Sequence, residues 1–148
     1  MSDLATTGDV RQRNALVVQR FYDLLTAGDI DGAVALFREG QILWKVPGNS
    51  PLAGEFENKD DIRTALRRWA SGEYGTFSRD MHCLCSADDD DHVYAQYVLS
   101  RTVGESRNRV GVIDAWHVRD GELAHVWSFI EDLYKFDRWT TEPSEVKQ

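Results

Sequence analysis

The run RVGVIDAWHVRDGELAHVWSFI, residues 109–130, decides how this chain folds. Apolar residues alternate on both sides of Arg119-Asp120-Gly121, which predicts two antiparallel strands, around Arg109–Arg119 and Glu122–Glu131, joined by a tight turn. On the first strand Val110, Val112, Asp114, Trp116 and Val118 share one face. A carboxylate therefore sits in the middle of the most apolar surface in the sequence. An unpaired ionised carboxylate is costly there, so Asp114 must be hydrogen-bonded, protonated or turned towards a cavity. Desolvation raises a carboxyl pKa, and a value near neutrality suits a general base or a neutral hydrogen-bond donor. The plainer reading is an Asp at a solvated sheet edge or paired with an Arg.

What lies beside Asp114 depends on the turn. A two-residue Asp-Gly turn sends His125, Trp127, Phe129 and Glu131 to its face, whereas a three-residue loop with Gly121 as a bulge sends Val126, Ser128 and Ile130 there. The first arrangement offers a His and a Glu as partners, the second a mostly apolar pocket with one hydroxyl. Alternation alone leaves both open.

Upstream of this hairpin, period-two patterning predicts strands around Thr76–Ala87 and His92–Val103, separated by the turn-forming stretches SADDDD and GESRN. Earlier still, Leu16, Val17, Phe21, Leu24 and Leu25 recur at helical spacing over Arg11–Ala27, and the Gly-Asp of AGD stops that helix and starts a short second one, Asp29–Phe37. QILWKV reads as a strand ended by the loop PGNSPLAGE, after which Ile62, Ala65, Leu66 and Trp69 mark a third helix. The fold class is α+β, with three N-terminal helices packed on one face of a curved, mostly antiparallel sheet. A length of 148 residues fits one compact domain, with a core over about residues 11–139 between a loose N-terminal arm and a loose C-terminal tail.

Seventeen Lys and Arg against 25 Asp and Glu give a formal charge of -8. The cations are scattered, so no phosphate-binding surface and no nucleic-acid partner are expected. The polar N-terminus lacks an apolar leader, and no stretch reaches the length of a membrane helix, so the expectation is a cytoplasmic protein without a membrane partner. Cys83 and Cys85 fall on one face of a single strand and form no disulfide, consistent with a reducing compartment. MHCLCSADDDDH is dense in ligand atoms, but the spacing does not match paired zinc motifs, and alternation sends His82 away from both cysteines. It reads as a strand ending in an acidic hairpin turn, and no metal is predicted. No Gly-rich phosphate loop, G-x-S-x-G elbow or Cys/His nucleophile pair is present, and no cofactor is expected. Trp69 fits a helix stripe, and Trp127 the outer sheet face, a plausible dimer surface. The C-terminal EDLYKFDRW either folds over a pocket mouth, with Glu131 or Tyr134 reaching in, or packs Leu133 and Phe136 against the sheet.

The stretches VVQRFYDLLTAGDIDGAVALF (17–37), WKVPGNSPLAGEF (44–56), DDIRTAL (60–66) and VIDAWHVRDGELAHVWSF (112–129) resemble the nuclear transport factor 2-like superfamily, and within it the SnoaL-like polyketide cyclases and ketosteroid isomerases. The resemblance runs from Val17 to about Trp139 and implies a single SnoaL-like domain over 1–148. It also implies a cone-shaped pocket between helices and sheet, and a homodimer through the outer sheet face. Ketosteroid isomerases use an Asp base with a Tyr and a protonated Asp as the oxyanion hole. By that resemblance the protonated Asp is Asp114, the Tyr position is Phe21 and the base position is Val46 or Lys45, so two of the three groups are missing. The resemblance also places Ser128 where related cyclases and epoxide hydrolases carry an acid, which favours the three-residue turn and leaves Asp114 without a carboxylate partner. It brings Tyr94, Gln96 and Val98 inward beside Phe21, Trp44, Trp116, Ser128 and Ile130, making a large aromatic pocket sparing in polar groups, suited to a hydrophobic polyketide-like substrate.

The function expected is a cofactor-independent cyclase or isomerase of secondary metabolism. Asp114 is its catalytic residue, and ring closure, including cycloaddition, proceeds by conformational control. One alternative is an epoxide hydrolase or pyran-forming acid/base cyclase, for which Glu131 is the nearest second carboxylate. Another is a non-catalytic small-molecule-binding dimer module.

Overall fold

The computed structural model describes the backbone of residues 3–141 and the side chains of residues 10–139. The helix α1 (Asp3–Thr26) is followed by the short α2 (Ile30–Val34), and two brief strands, β1 (Leu43–Val46) and β2 (Gly54–Phe56), precede α3 (Lys59–Ala70). The rest is the meander β3 (Thr76–Ser86), β4 (His92–Val103), β5 (Ser106–Arg119) and β6 (Glu122–Ile130), closed by α4 (Leu133–Thr141). The strands form one sheet in the order β2-β1-β6-β5-β4-β3, antiparallel throughout except where β1 runs parallel to β6.

Several features differ from the sequence expectation, α2 among them, which is shorter than the expected Asp29–Phe37. α1 begins at Asp3, where the first helix was expected from Arg11. The Pro- and Gly-rich loop after β1 carries β2, a three-residue strand too short to show a period. EDLYKFDRW holds a fourth helix whose Phe136 is fully buried against Trp69 while Tyr134 points to solvent, so this segment packs as a wall rather than reaching into the interior. The loose tail expected after Trp139 continues as helix through Thr141, and the rest of it lies outside the described residues.

Local chemistry accounts for the helix boundaries. Gly28 adopts a left-handed φ of 82° at the end of α1, and the Asp29 carboxylate then caps α2 by accepting from the Gly32 N–H at 2.8 Å. Asn58 caps α3 in the same way through the Asp61 N–H at 2.8 Å. The acidic stretch before β4 is likewise a turn device: Asp89 accepts from the Asp91 and His92 N–H groups, which hold its carboxyl down to about 2. Cys83 and Cys85 are free, with sulfurs 3.9 Å apart on the exposed face. A bulge between Met81 and Cys83 breaks the β3 alternation, so His82 and Cys83 are both exposed; the expectation that His82 points away from the cysteines is corrected. No group of three or more His, Cys, Asp or Glu among the described residues is arranged to hold a metal. No described helix is long and apolar enough to cross a membrane.

The core lies between α1, α3 and α4 and the inner face of the sheet. It is built from Val18, Phe21 and Tyr22 of α1, Ile62, Ala65 and Leu66 of α3, and alternate residues of β4, β5 and β6. Leu16, expected in the α1 stripe, is exposed.

Candidate functional site

Asp114 faces this core, 5% exposed, flanked along β5 by the buried Val112 and Trp116. Its neighbours across the sheet are fixed by two irregularities that act together. Asp120 and Gly121 have φ of 54° and 80°, a two-residue turn of the kind that suits hairpins, and Arg119 pairs with Glu122. The ladder then shifts between His117 and Val118, because Leu123 and Ala124 are both buried and Ala124 is an extra residue on β6. From there on Asp114 pairs with Ser128 and Trp116 with Val126. The turn is thus the shorter of the two expected, while the face turned inward is the one expected of the longer. Glu131 is consequently excluded from the site; its carboxylate lies at the surface and accepts from the Gly111 N–H at 2.9 Å.

The β4 neighbour of Asp114 is Ala95. Ala95, Asp114 and Ser128 form a row of small side chains across the sheet, and two tyrosines fill the space above it. The Tyr22 hydroxyl, from α1, and the Tyr97 hydroxyl, from β4, both donate to Asp114 Oδ2, at 2.5 and 2.9 Å. Ser128 Oγ donates to Oδ1 at 2.6 Å. The Trp116 indole, which can only donate, gives its N–H to the Tyr22 oxygen at 2.9 Å, and this directs the single Tyr22 proton towards Asp114. Arg79 of β3 closes the group, its guanidinium 5.9 and 5.6 Å from the ring centroids of Tyr22 and Tyr97.

Burial pushes the Asp114 carboxyl above its ordinary value, opposed in turn by the Ser128 and Tyr22 hydrogen bonds, the Arg79 charge and the Tyr97 hydrogen bond. Burial, reinforced by Asp114, raises both tyrosines, so they remain neutral donors. When Asp114 is protonated, Oδ2 is already occupied by two donors, so the proton belongs on Oδ1, and Ser128 turns from donor to acceptor. The site therefore has a defined position for one exchangeable proton.

These groups line a small internal cavity with Phe21, Leu25, Trp44, Val46, Leu66, Trp69, Leu99, Val112, Trp116 and Ile130 as its apolar walls. Its free volume is about 20 Å³, room for roughly one water molecule. Of the expected site residues, Asp114, Phe21, Trp44, Trp116, Ser128 and Ile130 meet here. Tyr94, Gln96 and Val98 do not: β4 pairs Ala95 with Asp114 and Tyr97 with Val112, so the odd-numbered residues turn inward and these three lie on the outer face. The large pocket sparing in polar groups is corrected to a tight one with a dense polar end. Of the two base positions, Val46 lines the cavity and Lys45 is exposed. Phe21, at the position expected to lack the Tyr, lines the cavity, and the next residue, Tyr22, on the same helical face as Val18, Phe21 and Leu25, places its hydroxyl on Asp114. Tyr97 and Arg79 were not anticipated.

Helices laid on a curved six-stranded sheet, with Asp114 the one buried carboxylate among the described residues, define an α+β fold of the nuclear transport factor 2-like class. The chain belongs to the SnoaL-like domain family, whose model matches residues 18–126. Its structure is similar to that of Bal32a from a soil-derived mobile gene cassette, at 25% identity and a TM-score of 0.79, covering 88% of this chain and 98% of that one. It is also similar to a proposed polyketide cyclase from Xanthomonas campestris pv. campestris, at 17% identity and a TM-score of 0.70 over 88% and 98% of the two chains. The epoxide hydrolase/cyclase-like enzyme SalBIII, described in pyran ring formation in the polyether salinomycin, aligns at 14% identity with a TM-score of 0.66 over 80% and 91%. No curated protein sequence matches the chain.

Proposed function

We propose that this protein is a cofactor-independent isomerase or cyclase that moves a proton to and from a carbonyl or hydroxyl oxygen of a hydrophobic, polyketide-like small molecule. The observation that carries this reading is the division of labour at Asp114, with Oδ2 held by two tyrosines and Oδ1 placed beside Ser128 on the wall of the cavity. In the protonated form, Oδ1 gives its proton to the substrate oxygen. The carboxylate left behind is stabilised by the hydroxyls of Tyr22 and Tyr97 and by the charge of Arg79, so the donors are in place before charge develops. A free volume near 20 Å³ seats the reacting oxygen of a substrate rather than a folded chain. Proton transfer is therefore better supported than ring closure by shape alone, and the family relationship to cyclases agrees with either outcome of that transfer.

Deleting the gene in its host is expected to cause an unrearranged precursor to accumulate. The natural sequence restores the product, and Asp114→Asn, expressed as a folded protein, restores it about 10²–10⁴-fold more slowly, the usual contribution of one general acid/base. Full restoration by Asp114→Asn would remove Asp114 from the chemistry and leave a binding module as the better reading.

We also propose that two copies pair through the outer sheet face. Tyr94, Ile113, Trp127 and Phe129 are 40–56% exposed there, beside a recess of about 440 Å³ bordered by His92, His117 and His125. Apolar surface of this extent is characteristic of interaction faces. Trp127→Glu is expected to convert a dimer into a monomer in sedimentation velocity with unchanged circular dichroism. A monomeric natural protein at tens of micromolar would contradict the pairing.

A further inference from the structure

Two buried N–H groups of residues that line the cavity have no hydrogen-bond partner among the described residues: Nε of Arg79 and Nε1 of Trp69. Both can only donate. They come from different elements, Arg79 from β3 and Trp69 from α3, and Phe77, two residues before Arg79, packs edge-on against the Trp69 ring at 4.9 Å. Buried donors left unmade are uncommon in folded proteins, and two of them belong to residues that line this one cavity. The charge balance points the same way. No carboxylate among the described residues forms an ion pair with Arg79, whereas Arg11, Arg63, Arg67 and Arg119 are each paired with an aspartate at the surface. Tyr97 is the main polar neighbour of the guanidinium, through electrostatics and a hydrogen bond, and Asp114 acts on it more weakly through space, with the rings of Tyr22 and Tyr97 against the guanidinium and their hydroxyls on the carboxylate. A desolvated guanidinium presents a planar fork of donors matched to a delocalised oxyanion.

We propose that the substrate carries a delocalised oxyanion, a carboxylate or an ionised enol, which Arg79 Nε and Trp69 Nε1 bind while the apolar remainder lies against the aromatic wall. This rests on the acid/base reading of the cavity and narrows it. Arg79 becomes the residue that selects the anion, and Asp114 the group that exchanges the proton. The division is chemically consistent, because an enolate or a conjugated carboxylate delocalises the charge that proton transfer creates or removes, and a cation beside it lowers the barrier. The cavity has room for roughly one water, so it admits one oxygen of the anion and requires the group that bears it to be slender.

The test is a binding measurement that needs no turnover. Trp44, Trp69 and Trp116 line the cavity, so ligand entry is read by intrinsic fluorescence excited above the absorption of the probes. Three probes are titrated: sorbate, a thin dienoic carboxylate; 3-hydroxyprop-2-enal, a thin enol ionised at neutral pH; and 2,4-hexadien-1-ol, the neutral counterpart of sorbate. The natural protein is expected to bind at least one anion tenfold or more tightly than the alcohol, and the anion that binds identifies the oxyanion type. Arg79→Met is expected to erase that preference while leaving the affinity for the alcohol within about twofold. Trp69→Phe, which keeps the ring and removes the other donor, is expected to weaken the preferred anion several-fold, and it decides the matter if Arg79→Met does not fold. Equal binding of anions and alcohol by the natural protein overturns the proposal, as does an anion preference that survives both substitutions. Anion preference without any product change in the gene-deletion experiment would instead overturn the acid/base reading, so the two failures are distinct.

Discussion

Asp114→Asn is expected to be more stable than the natural protein at neutral pH, by a margin that widens as the pH rises, while losing proton transfer. The argument begins from the hydrogen bonds. An asparagine carbonyl in the place of Oδ2 accepts from Tyr22 and Tyr97, and its NH₂ in the place of Oδ1 donates to Ser128, so the amide reproduces the protonated carboxyl atom for atom. The ionised carboxyl, in contrast, is penalised by burial, and its pKa in the folded state is raised above the ordinary value. A carboxyl raised on folding contributes stability that is fully present below its unfolded pKa, about 3.9. That contribution is lost as the pH climbs to the folded value, because the folded state binds more protons throughout this window. Within it the natural protein loses about 1.4 kcal/mol per pH unit relative to a chain that does not titrate at position 114. His117 and His125 have the opposite sign. Burial holds both below the ordinary imidazole value, so their contribution is lost as the pH falls below about 6.5. They are common to both proteins and cancel in the difference. Urea denaturation of the pair at half-unit steps from pH 4 to 9 measures it directly. A gap that stays flat across that range would mean that Asp114 titrates normally.

The legibility of this site in the sequence varied with the kind of information each residue needed. Asp114 and Trp116 were readable because a polar residue on a strongly apolar strand face is a contradiction that alternation exposes. Ser128 was readable only as one of two registers. The choice turned on Ala124, whose burial next to the buried Leu123 marks a bulge that no turn rule predicts. On β4 the signal was present in the residues themselves. Val93, Ala95, Tyr97 and Leu99 are apolar or aromatic, while the other phase contains His92 and Gln96, and over this stretch the structure follows the more apolar phase. Tyr22 stood one residue from the expected position and on the same helical face, so a rule based on aligned positions passed over it. Arg79 lies in a mostly polar strand interrupted by a bulge, and its inward direction depends on pairing with Leu99. The parallel pairing of β1 with β6 joins segments some eighty residues apart, Leu43 with His125, and no local pattern encodes such a contact. The fold was therefore legible where periodicity is local, and the polar end of the cavity was hidden where helix, sheet and bulge had to be assembled first.

Trp116→Ala is expected to destabilise the protein by about 3–5 kcal/mol, the range for removing a large buried aromatic side chain. Trp116 is 1% exposed and packs against Phe21 at 4.9 Å and against Tyr22 and Phe37 near 6 Å, so it joins α1, the chain after α2 and the sheet in one cluster. Its neighbours across the sheet, Val93 and Val126, are themselves fully buried and cannot collapse far into the space it would leave. Against a typical domain stability of about 5–15 kcal/mol, such a loss brings the protein close to unfolding at ordinary temperature. Trp116→Phe separates packing from polarity. It retains an aromatic ring but removes the N–H that the Tyr22 oxygen accepts, and its cost is expected to be about 1–3 kcal/mol. Freed of that donor, the Tyr22 hydroxyl is no longer directed at Asp114, and the carboxyl loses one of the hydrogen bonds that hold its pKa down. In the Trp116→Phe background, the pH window over which Asp114→Asn gains on its parent should therefore extend to higher pH. Denaturation followed by far-ultraviolet circular dichroism, which does not depend on the removed tryptophan, reads both quantities. A cost below 1 kcal/mol for Trp116→Ala would contradict the packing described here. An unchanged window in Trp116→Phe would show that the indole does not orient Tyr22.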